Sequence, residues 1–491
     1  MPTDSQPSAS PGLRLVFGAS GYVGSHLLPR LRAEGVPVRA AARDPSRLRL
    51  PDSVERVRAD ALDPDALGPA LEGVDTAYYL VHSMAAGPGF GAVDRRAARN
   101  FAAAAAEAGV RRIVYLGGLV PAGARSEHVV SRRETGEILR QGSVPVTELR
   151  AGIIVGPGSA AFEVMRDLVL NLPVMFTPRW VRAKSPPIAL DNLLHYLVRL
   201  PELEQAADQI YDAGGPELLN YQQMMRILAQ AAGRRPPRVV PLPVLSPKLS
   251  AYWLRFVTSV PTPIAQALVE GLRHDFTAND EPLRRLVPQR LLPFREAVAA
   301  AFEQERRPAP AGGEGDFNLR GRRHDHAFYA KRAGGSAETS ASPAAVWRVV
   351  SAIGGDNRYY YLNSLWTLRE VLDTLVGGSG RQHRRRHPTE LREGDPVDSW
   401  KVLAVEPERR LLLGFGMKAP GSGALEILLQ PQPGGGTRIT ATAHWHPAGS
   451  PGLLYWYALT PAHLLLFDGL TREIGRRAER LERDGRVGTA D

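Results

Sequence analysis

The 491-residue chain contains no cysteine. This absence excludes disulfide bonds, thiolate nucleophiles and zinc sites that use cysteine ligands. It is compatible with a reducing compartment, and we expect a cytoplasmic protein. The sequence also lacks an apolar run after a charged start, so it predicts no secretory signal. Residues 1–12 are polar and rich in serine and proline, and we expect a disordered tail there.

Lysine is nearly absent, and arginine makes up most of the 61 basic residues, which exceed the 51 acidic residues to give a net charge of +10. Because arginine is spread through every segment, this charge reflects composition rather than a nucleic-acid surface. The local basic run 381–387 is short and has no interleaved aromatic residues for base stacking. The sequence therefore predicts no nucleic-acid partner.

The sequence contains no uninterrupted apolar span and no dense cluster of metal ligands. The segment 453–470 approaches the length of a spanning helix, but Pro461 interrupts it and Asp468 adds a charge. A buried amphipathic helix fits this pattern better, while a peripheral membrane contact stays open as an alternative. His444 and His446 share one strand face without a carboxylate pair beside them, so we predict no metal site.

Short apolar runs alternate with helical segments over roughly the first third of the chain. This alternation predicts an α/β fold with a doubly wound parallel sheet that helices cover on both faces. Runs such as 77–81 are apolar throughout, as expected for strands buried on both faces. The predicted strands are Leu13–Phe17, Val38–Ala42, Val54–Arg58, Thr76–Val81, Ile113–Leu116 and Val146–Ile154, and the main predicted helices are Tyr22–Glu34, Ala92–Ala108 and Val130–Arg140.

The remaining chain divides into three predicted parts. Residues 156–305 are irregular and mostly helical, and we expect a small α-rich subdomain on the substrate side of the 13–305 domain. Residues 306–327 are rich in Pro, Gly and Arg and predict a linker. Residues 328–485 show an early helix with Ser342 as its N-cap, four strand-like runs and a long final helix. This order predicts an α+β domain of the helix-grip type.

The segment from Gly18 to Gly24 carries the sharpest motif. Its sequence, Gly-Ala-Ser-Gly-Tyr-Val-Gly, follows an apolar strand and begins a helix. The first glycine permits a tight turn, Gly21 lets the backbone approach a pyrophosphate, and Gly24 lets the helix pack closely on the sheet. We therefore predict that Gly18, Ala19, Ser20, Gly21, Tyr22, Val23 and Gly24 bind a dinucleotide.

The residues at the ends of the next strands indicate which cofactor is preferred and supply its other expected contacts. An acidic residue at the end of the second strand would favour NAD, but this chain has Ala42 followed by Arg43, which can bind the 2′-phosphate of NADP(H). We therefore expect NADP(H) rather than NAD(H). Because ligands lie at strand carboxyl ends, the other expected contacts are Asp60 and Ala61 after the third strand, Leu80 and His82 after the fourth, and Leu116 and Gly117 after the fifth.

These residues resemble the extended and atypical short-chain dehydrogenases/reductases, closest to the NmrA-like branch with its NAD(P)-binding Rossmann domain. The resemblance covers about residues 13–304 and rests on the glycine motif, Asp60, Asn100 and the run 150–157. The segments 77–84 and 131–137 are similar to an uncharacterised bacterial family that joins such a half to a carboxyl-terminal domain of unknown function. That second domain resembles START-like (SRPBCC) helix-grip folds, whose cavities hold hydrophobic small molecules.

The resemblance implies a catalytic Ser, Tyr and Lys that this chain does not have. Gly117 and Gly118 stand where the Ser should follow the fifth strand, and Val129 and Arg133 stand in place of the Tyr and Lys. Arg133 can replace the Lys only as a fixed cation that binds the nicotinamide ribose. His128 is a candidate proton donor.

The sequence leaves two interpretations open. In the first, the protein is an oxidoreductase of a small hydrophobic substrate, which the carboxyl-terminal domain binds or delivers. In the second, it is a non-catalytic NADP(H)-binding sensor whose second domain answers to a hydrophobic ligand. The oligomeric state is open as well.

Overall fold

The computed structural model describes residues 12–306 and 331–487, apart from gaps at 46–47, 49, 52, 85–86, 88, 122, 173, 178–181, 242–257, 259, 272–273, 376, 378–384, 433 and 448. The chain divides into two compact units, Met1–Phe317 and Asn318–Asp491. The predicted tail, up to residue 11, and most of the predicted linker lie outside the described residues.

The amino-terminal unit is built on a seven-stranded sheet with the strand order β11-β6-β5-β4-β1-β2-β3, in which every pair is parallel. Strand order reverses between β1 and β4, as in doubly wound nucleotide-binding folds. The predicted parallel sheet with flanking helices is confirmed. Its strands are β1 Arg14–Phe17, β2 Val38–Ala42, β3 Glu55–Arg58, β4 Thr76–Tyr79, β5 Arg112–Gly118, β6 Val146–Ala151 and β11 Ile210–Ala213.

Helices cover both faces of this sheet because alternate residues of each strand point to opposite sides. Val16, Tyr78 and Val114 belong to one buried apolar cluster, and Phe17 and Tyr79 belong to another. The described helices of this unit are α1 Tyr22–Ala33, α2 Leu67–Leu71, α3 Phe90–Glu107, α4 Glu127–Arg140, α5 Ala160–Asn171, α6 Leu190–Arg199, α7 Tyr221–Ala231, α8 Thr262–Gly271, α9 Glu281–Leu286 and α10 Phe294–Arg306.

Three two-stranded pairings accompany the main sheet in this unit. They join β7 Ile154–Val155 to β10 Ile188–Ala189, β8 Val174–Thr177 to β13 Arg238–Pro241, and β9 Lys184–Ser185 to β12 Leu219–Asn220. The first pairing divides the strand that the sequence predicts over 146–154. The chain leaves the large sheet at Gly152, where a Cβ would lie 2.4 Å from the carbonyl oxygen of Pro186, and then pairs with β10.

The carboxyl-terminal unit is a six-stranded antiparallel sheet with the order β14-β19-β18-β17-β16-β15 and a long helix that packs on β14 and β19. A START-like or helix-grip identity stays a prediction. The strands are β14 Lys331–Thr339, β15 Pro396–Val397, β16 Trp400–Glu406, β17 Arg410–Phe415, β18 Gly421–Pro431 and β19 Thr437–Pro447, and the helices are α11 Pro343–Ser351, α12 Asn363–Leu375 and α13 Gly449–Val487.

Sequence reasoning located most of this unit and missed three of its elements. The Ser342 hydroxyl accepts a hydrogen bond from the amide of Ala345, as expected of an N-cap. The last helix passes through Pro461 without a break. The missed elements are β14, whose small residues carry no strand signal, the two-residue strand β15, and α12, which follows the aromatic run 359–361. Among the described residues, no helix has the length and apolar character that a membrane crossing requires.

Candidate functional site

The turn between β1 and α1 lies at the point where strand order reverses, which is where open α/β sheets bind their ligands. Gly18 has a φ of +96°, a conformation that favours glycine. A Cβ on Gly24 would lie 2.4 Å from the carbonyl oxygen of Gly18. A larger residue at position 24 would therefore push the first turn of the helix away from the glycine turn. The backbone amide of Ala19 donates to the carbonyl of Ala41 at 3.0 Å and holds the turn on β2.

The first turn of α1 offers its backbone N–H groups without a side-chain cap and without an acidic residue nearby. The first amides of a helix have no acceptor within the helix, and the helix dipole makes this end positive. Ser20 is exposed at the turn, while Tyr22 and Val23 are half-buried and pack against the core of the sheet. The turn therefore fits a pyrophosphate.

Arg43 follows β2 and is exposed, and its guanidinium forms no hydrogen bond or ion pair with the described part of the chain. The preceding Ala42 is buried. An exposed cation at the end of this strand can bind the ribose 2′-phosphate that distinguishes NADP(H) from NAD(H).

Asp60 and Ala61 shape the turn after β3. One carboxylate oxygen of Asp60 accepts the backbone N–H of Leu62 at 3.0 Å, and the carbonyl of Ala61 accepts the Nδ2 amide of Asn100 at 2.9 Å. Asn100 thus links α3 to the turn after β3, the strand that pairs with β2.

The ends of β4 and β5 carry the remaining predicted contacts. The amide of Leu80 donates to the carbonyl of Phe17 at 3.0 Å, and the carbonyl carbon of Leu80 would lie 3.2 Å from a Cβ on Gly18. His82 is exposed beyond β4, whereas Leu116 and Gly117 are buried at the end of β5. The structure therefore brings these residues to the same edge as the glycine turn.

The two positions that should hold Tyr and Lys do not face the strand ends as a pair. Val129 is only 4% exposed, and the Nε of Arg133 lies 3.5 Å from a carboxylate oxygen of Glu137 on the same helix. The Arg133 side chain is 43% exposed. Arg133 thus forms an exposed ion pair within α4, and the contact with the nicotinamide ribose expected for it stays a prediction.

Arg132, which sequence reasoning passed over, takes the position at the end of β5. Its Nη1 donates to the carbonyl of Leu116 at 3.2 Å, and its own carbonyl accepts the Tyr115 hydroxyl at 2.9 Å. A Cβ on Gly118 would lie 3.6 Å from the Cδ of Arg132. The available signal was the spacing of His128 and Arg132, which is the Tyr-to-Lys spacing shifted by one residue.

The electrostatics of this edge are set by Arg132 and the two histidines. Burial, and then the charge of Arg132, lowers the pKa of His128 to about 3. Desolvation of His82 after β4, and then the charges of Arg132 and His128, lower the pKa of its ring as well. Part of the His82 side chain is nevertheless exposed. Both rings are neutral at pH 7, so His128 could donate a hydrogen bond but holds no ionising proton to transfer.

A buried carboxylate fixes α4 against the strand ends. Asp94 on α3 accepts the Ser131 hydroxyl at 2.7 Å and the backbone amide of Ser83 at 2.8 Å. Glu127 accepts the amides of Gly89 and Gly91 at 3.3 and 3.1 Å. These bonds position the face of α4 that carries His128 and Arg132.

Apolar side chains lie beside this polar edge. Met84, Phe90 and Ala267 form a small buried cluster that joins the segment after β4, the start of α3 and α8. The α-rich part of the unit thus packs through α8 against the segment that follows His82.

The motif and the geometry agree with the match to known families. A family model described as NAD(P)H-binding matches residues 18–144, which include the glycine turn and α4. This unit is an NAD(P)H-binding Rossmann domain. A second model, described as a protein of unknown function (DUF2867), matches residues 327–470.

A curated reductase is similar to this chain over a longer stretch. The (4-alkanoyl-5-oxo-2,5-dihydrofuran-3-yl)methyl phosphate reductase of Streptomyces griseus subsp. griseus is 31% identical over 303 residues, 59% of this chain and 98% of the relative. The chain belongs to the same NAD(P)H-binding reductase family. The chain is also similar to part of cinnamoyl-CoA reductase 1 of Oryza sativa subsp. japonica, at 35% identity over 20% of the chain and 32% of the relative.

Solved structures give a further comparison. A nucleoside-diphosphate-sugar epimerase from Staphylococcus aureus covers 59% of this chain and 99% of its own, with a TM-score of 0.49 at 15% identity. The triphenylmethane reductase of Citrobacter sp. covers 60% and 99%, with a TM-score of 0.48 at 19% identity. The fold assignment rests on the strand order described above.

Two histidines of the carboxyl-terminal unit share a strand face, as a pair of metal ligands could. His444 is buried, and its Nε2 lies 3.2 Å from a carboxylate oxygen of Glu426. Across the described ranges of the chain, no three His, Asp or Glu side chains converge as a metal cluster would require.

Proposed function

We propose that the protein is an NADP(H)-dependent reductase of a small, largely hydrophobic molecule. The observation that carries this proposal is the uncapped glycine turn at the β1/β4 reversal together with the exposed Arg43. NADPH supplies a hydride when it is bound. The backbone amides of the turn would hold the pyrophosphate, Arg43 would hold the 2′-phosphate, and the apolar cluster of Met84, Phe90 and Ala267 would exclude water from the substrate.

The missing Tyr limits the kind of substrate. Without a side-chain acid at the end of β5, the proton that follows reduction would come from water. Acceptors whose negative charge is spread over several atoms after reduction, such as quinones and enones, need this assistance least. The reductase of Streptomyces griseus named above acts on such an unsaturated ring according to its name.

The test combines binding with turnover. Calorimetry of the full chain with NADPH and NADH should show tighter binding of NADPH, and NADPH absorbance should then fall in the presence of a quinone or enone. Gly21→Asp should abolish both signals while far-UV circular dichroism stays unchanged. Equal affinity for the two cofactors would overturn the NADP(H) assignment.

A second candidate function has one observation in its favour. Gly117, Gly118 and the buried Val129 leave the strand ends without the usual proton relay, as in a sensor that binds NADP(H) without consuming it. This candidate predicts NADPH binding with no oxidation by any quinone, enone or aldehyde. Turnover above the rate of the Gly21→Asp variant would exclude it.

For the carboxyl-terminal unit we propose a hydrophobic small-molecule ligand. Support comes from neighbouring aromatic rings that run across the unit from α12 to β19, with Trp366 4.4 Å from Tyr359 and Trp445 5.5 Å from Phe415 between ring centroids. A row on α12 also stays exposed at helical spacing, namely Leu368, Val371, Leu372 and Leu375. Such surfaces mark binding sites for apolar partners.

Native mass spectrometry of the purified full chain tests this second proposal. We expect a co-purifying apolar molecule, and we expect Trp366→Ala to lose it while NADPH binding is retained. Recovery of the unliganded mass alone, both before and after incubation with lipid extract, would contradict it.

A further inference from the structure

Arg132 is a half-buried cation that pairs with no described carboxylate. Its bond is to the carbonyl of Leu116, a neutral acceptor, so its positive charge is not cancelled locally. A half-buried charge without a counter-ion is costly unless a ligand supplies one.

The nearest acidic side chains of α3, α4 and β6 are all engaged elsewhere. Asp94 accepts from a serine hydroxyl and a backbone amide, and Glu127 accepts from two backbone amides. Glu134 pairs with an arginine of α3 at 2.8 Å, and Glu148 lies between two arginines. None of these carboxylates can turn to Arg132 without breaking its present bonds.

The position of Arg132 separates it from the phosphates of the cofactor. Adjacent strands lie about 4.8 Å apart, so the end of β5 is roughly 10 Å from the end of β1, where the glycine turn lies. Arg43 lies on the opposite side, at the end of β2. The two arginines therefore stand on either side of the glycine turn, and only Arg43 is placed for the adenosine ribose.

The surroundings of Arg132 suit an anion. His82 and His128 lie beside it, and desolvation, followed by the charge of Arg132, lowers the pKa of each ring, so both are neutral hydrogen-bond donors. Met84, Phe90 and Ala267 form a buried apolar cluster in the neighbouring segments. A cation with neutral donors beside it binds phosphate or carboxylate oxygens through charge-assisted hydrogen bonds.

We propose that Arg132, with His82 and His128 beside it, binds a phosphate or carboxylate group of the substrate. The substrate is thus a small molecule with an apolar body and one anionic group. This inference rests on the proposed reductase function, because it places the anion beside the site where the hydride acceptor would lie.

Calorimetry on the full chain saturated with NADP+ tests the proposal, since the bound cofactor blocks the glycine turn as a competing anion site. The probes are hexyl phosphate, hexanoate and 1-hexanol. We expect binding of at least one anionic probe and none of the neutral alcohol. The anionic probe that binds more tightly, hexyl phosphate or hexanoate, shows whether the site prefers a phosphate or a carboxylate.

Arg132→Gln should weaken binding of the anionic probe by about ten- to a hundredfold, as expected for loss of a charged hydrogen-bond donor. Arg132→Lys should recover part of the affinity. Arg133→Gln, one residue further along the same helix, should leave it within about twofold, as expected for an exposed side chain that does not touch the probe. NADP+ affinity and the melting temperature, measured for each variant, show that the chain is folded.

The outcomes separate this inference from the proposed function. If NADP+ fails to bind the wild-type chain, the proposed function fails. If NADP+ binds but neither anionic probe does, or Arg132→Gln binds the probe as tightly as wild type, only the present inference is overturned. A loss confined to Arg133→Gln would overturn it too.

Discussion

The two sides of the candidate site differ in how they depend on side chains. The phosphate side, defined by the turn 18–24 and Arg43, offers mainly backbone amides and one exposed cation. The substrate side, defined by Gly117, Gly118 and residues 128–133 of α4, lacks the Tyr that the resemblance implied. Binding a pyrophosphate needs only a backbone shape, whereas moving a proton needs one particular side chain. The first task therefore persists in this chain where the second has changed.

The strongest test of the phosphate side is Gly21→Asp. We expect NADPH affinity to fall by more than about a hundredfold, because a carboxylate would repel the pyrophosphate and a Cβ at this position would lie 2.9 Å from the carbonyl oxygen of Gly18. Calorimetry measures the loss. Gly68→Asp is the matched control, since a Cβ at Gly68 meets no neighbouring atom within 4 Å. Similar losses in both variants would mean that the added charge acts at long range.

Arg43→Ala sharpens the same side. NADPH affinity should fall by about ten- to a hundredfold while NADH affinity stays constant, because only NADPH carries the 2′-phosphate that a charged hydrogen-bond donor would hold. Titration of the variant with each cofactor gives the ratio. An equal loss of affinity for NADPH and NADH would show that Arg43 stabilises the turn and does not bind the 2′-phosphate.

Val129→Tyr tests the substrate side. Position 129 is nearly buried, so the larger ring should lower the free energy of unfolding by about 1–3 kcal/mol and should not raise NADPH oxidation. His128→Tyr would place its phenol one turn from Arg132 and should cost less stability. Urea unfolding and NADPH absorbance measure the two effects. A stable Val129→Tyr variant with faster oxidation would restore the original assignment of positions 129 and 133.

The smallest expected effect is on pH dependence. The pKa of His128 in the folded chain is about 3 against an ordinary 6.5, so the unfolded chain binds the proton more readily. The stability that this group contributes is complete above about pH 6.5 and is lost as the pH falls toward 3. His128→Gln should therefore lose less melting temperature between pH 7.5 and pH 5 than wild type does. A steeper loss in the variant would contradict a neutral His128 ring in the folded chain.

Sequence patterns predicted the phosphate side because the residues that form it lie close together along the chain. A glycine motif between a strand and a helix defines the turn, and the next strand end supplies Arg43 within the same stretch of chain. The parallel sheet was equally predictable, since apolar runs such as 77–81 alternate with helical segments. The edge strand β11 was missed because it is short and partly exposed.

The substrate side could not be derived in the same way because it depends on helix orientation. Counting from the family pattern selects positions 129 and 133, but the bonds of Asp94 and Glu127 turn α4 so that 128 and 132 meet the strand ends. A difference of one residue rotates a helix face by about 100°. The spacing of His128 and Arg132 is compatible with that rotation but does not determine it, since the bonds that set it join α4 to α3.

The contact between Gly118 and Arg132 shows how much room the end of β5 has for a side chain. A Cβ at position 118 would lie 3.6 Å from the Cδ of Arg132, which is an ordinary van der Waals distance. A residue as small as alanine would therefore fit beside the arginine stem. Crowding by this stem does not account for the glycine, so Gly118→Ala should leave Arg132 in place.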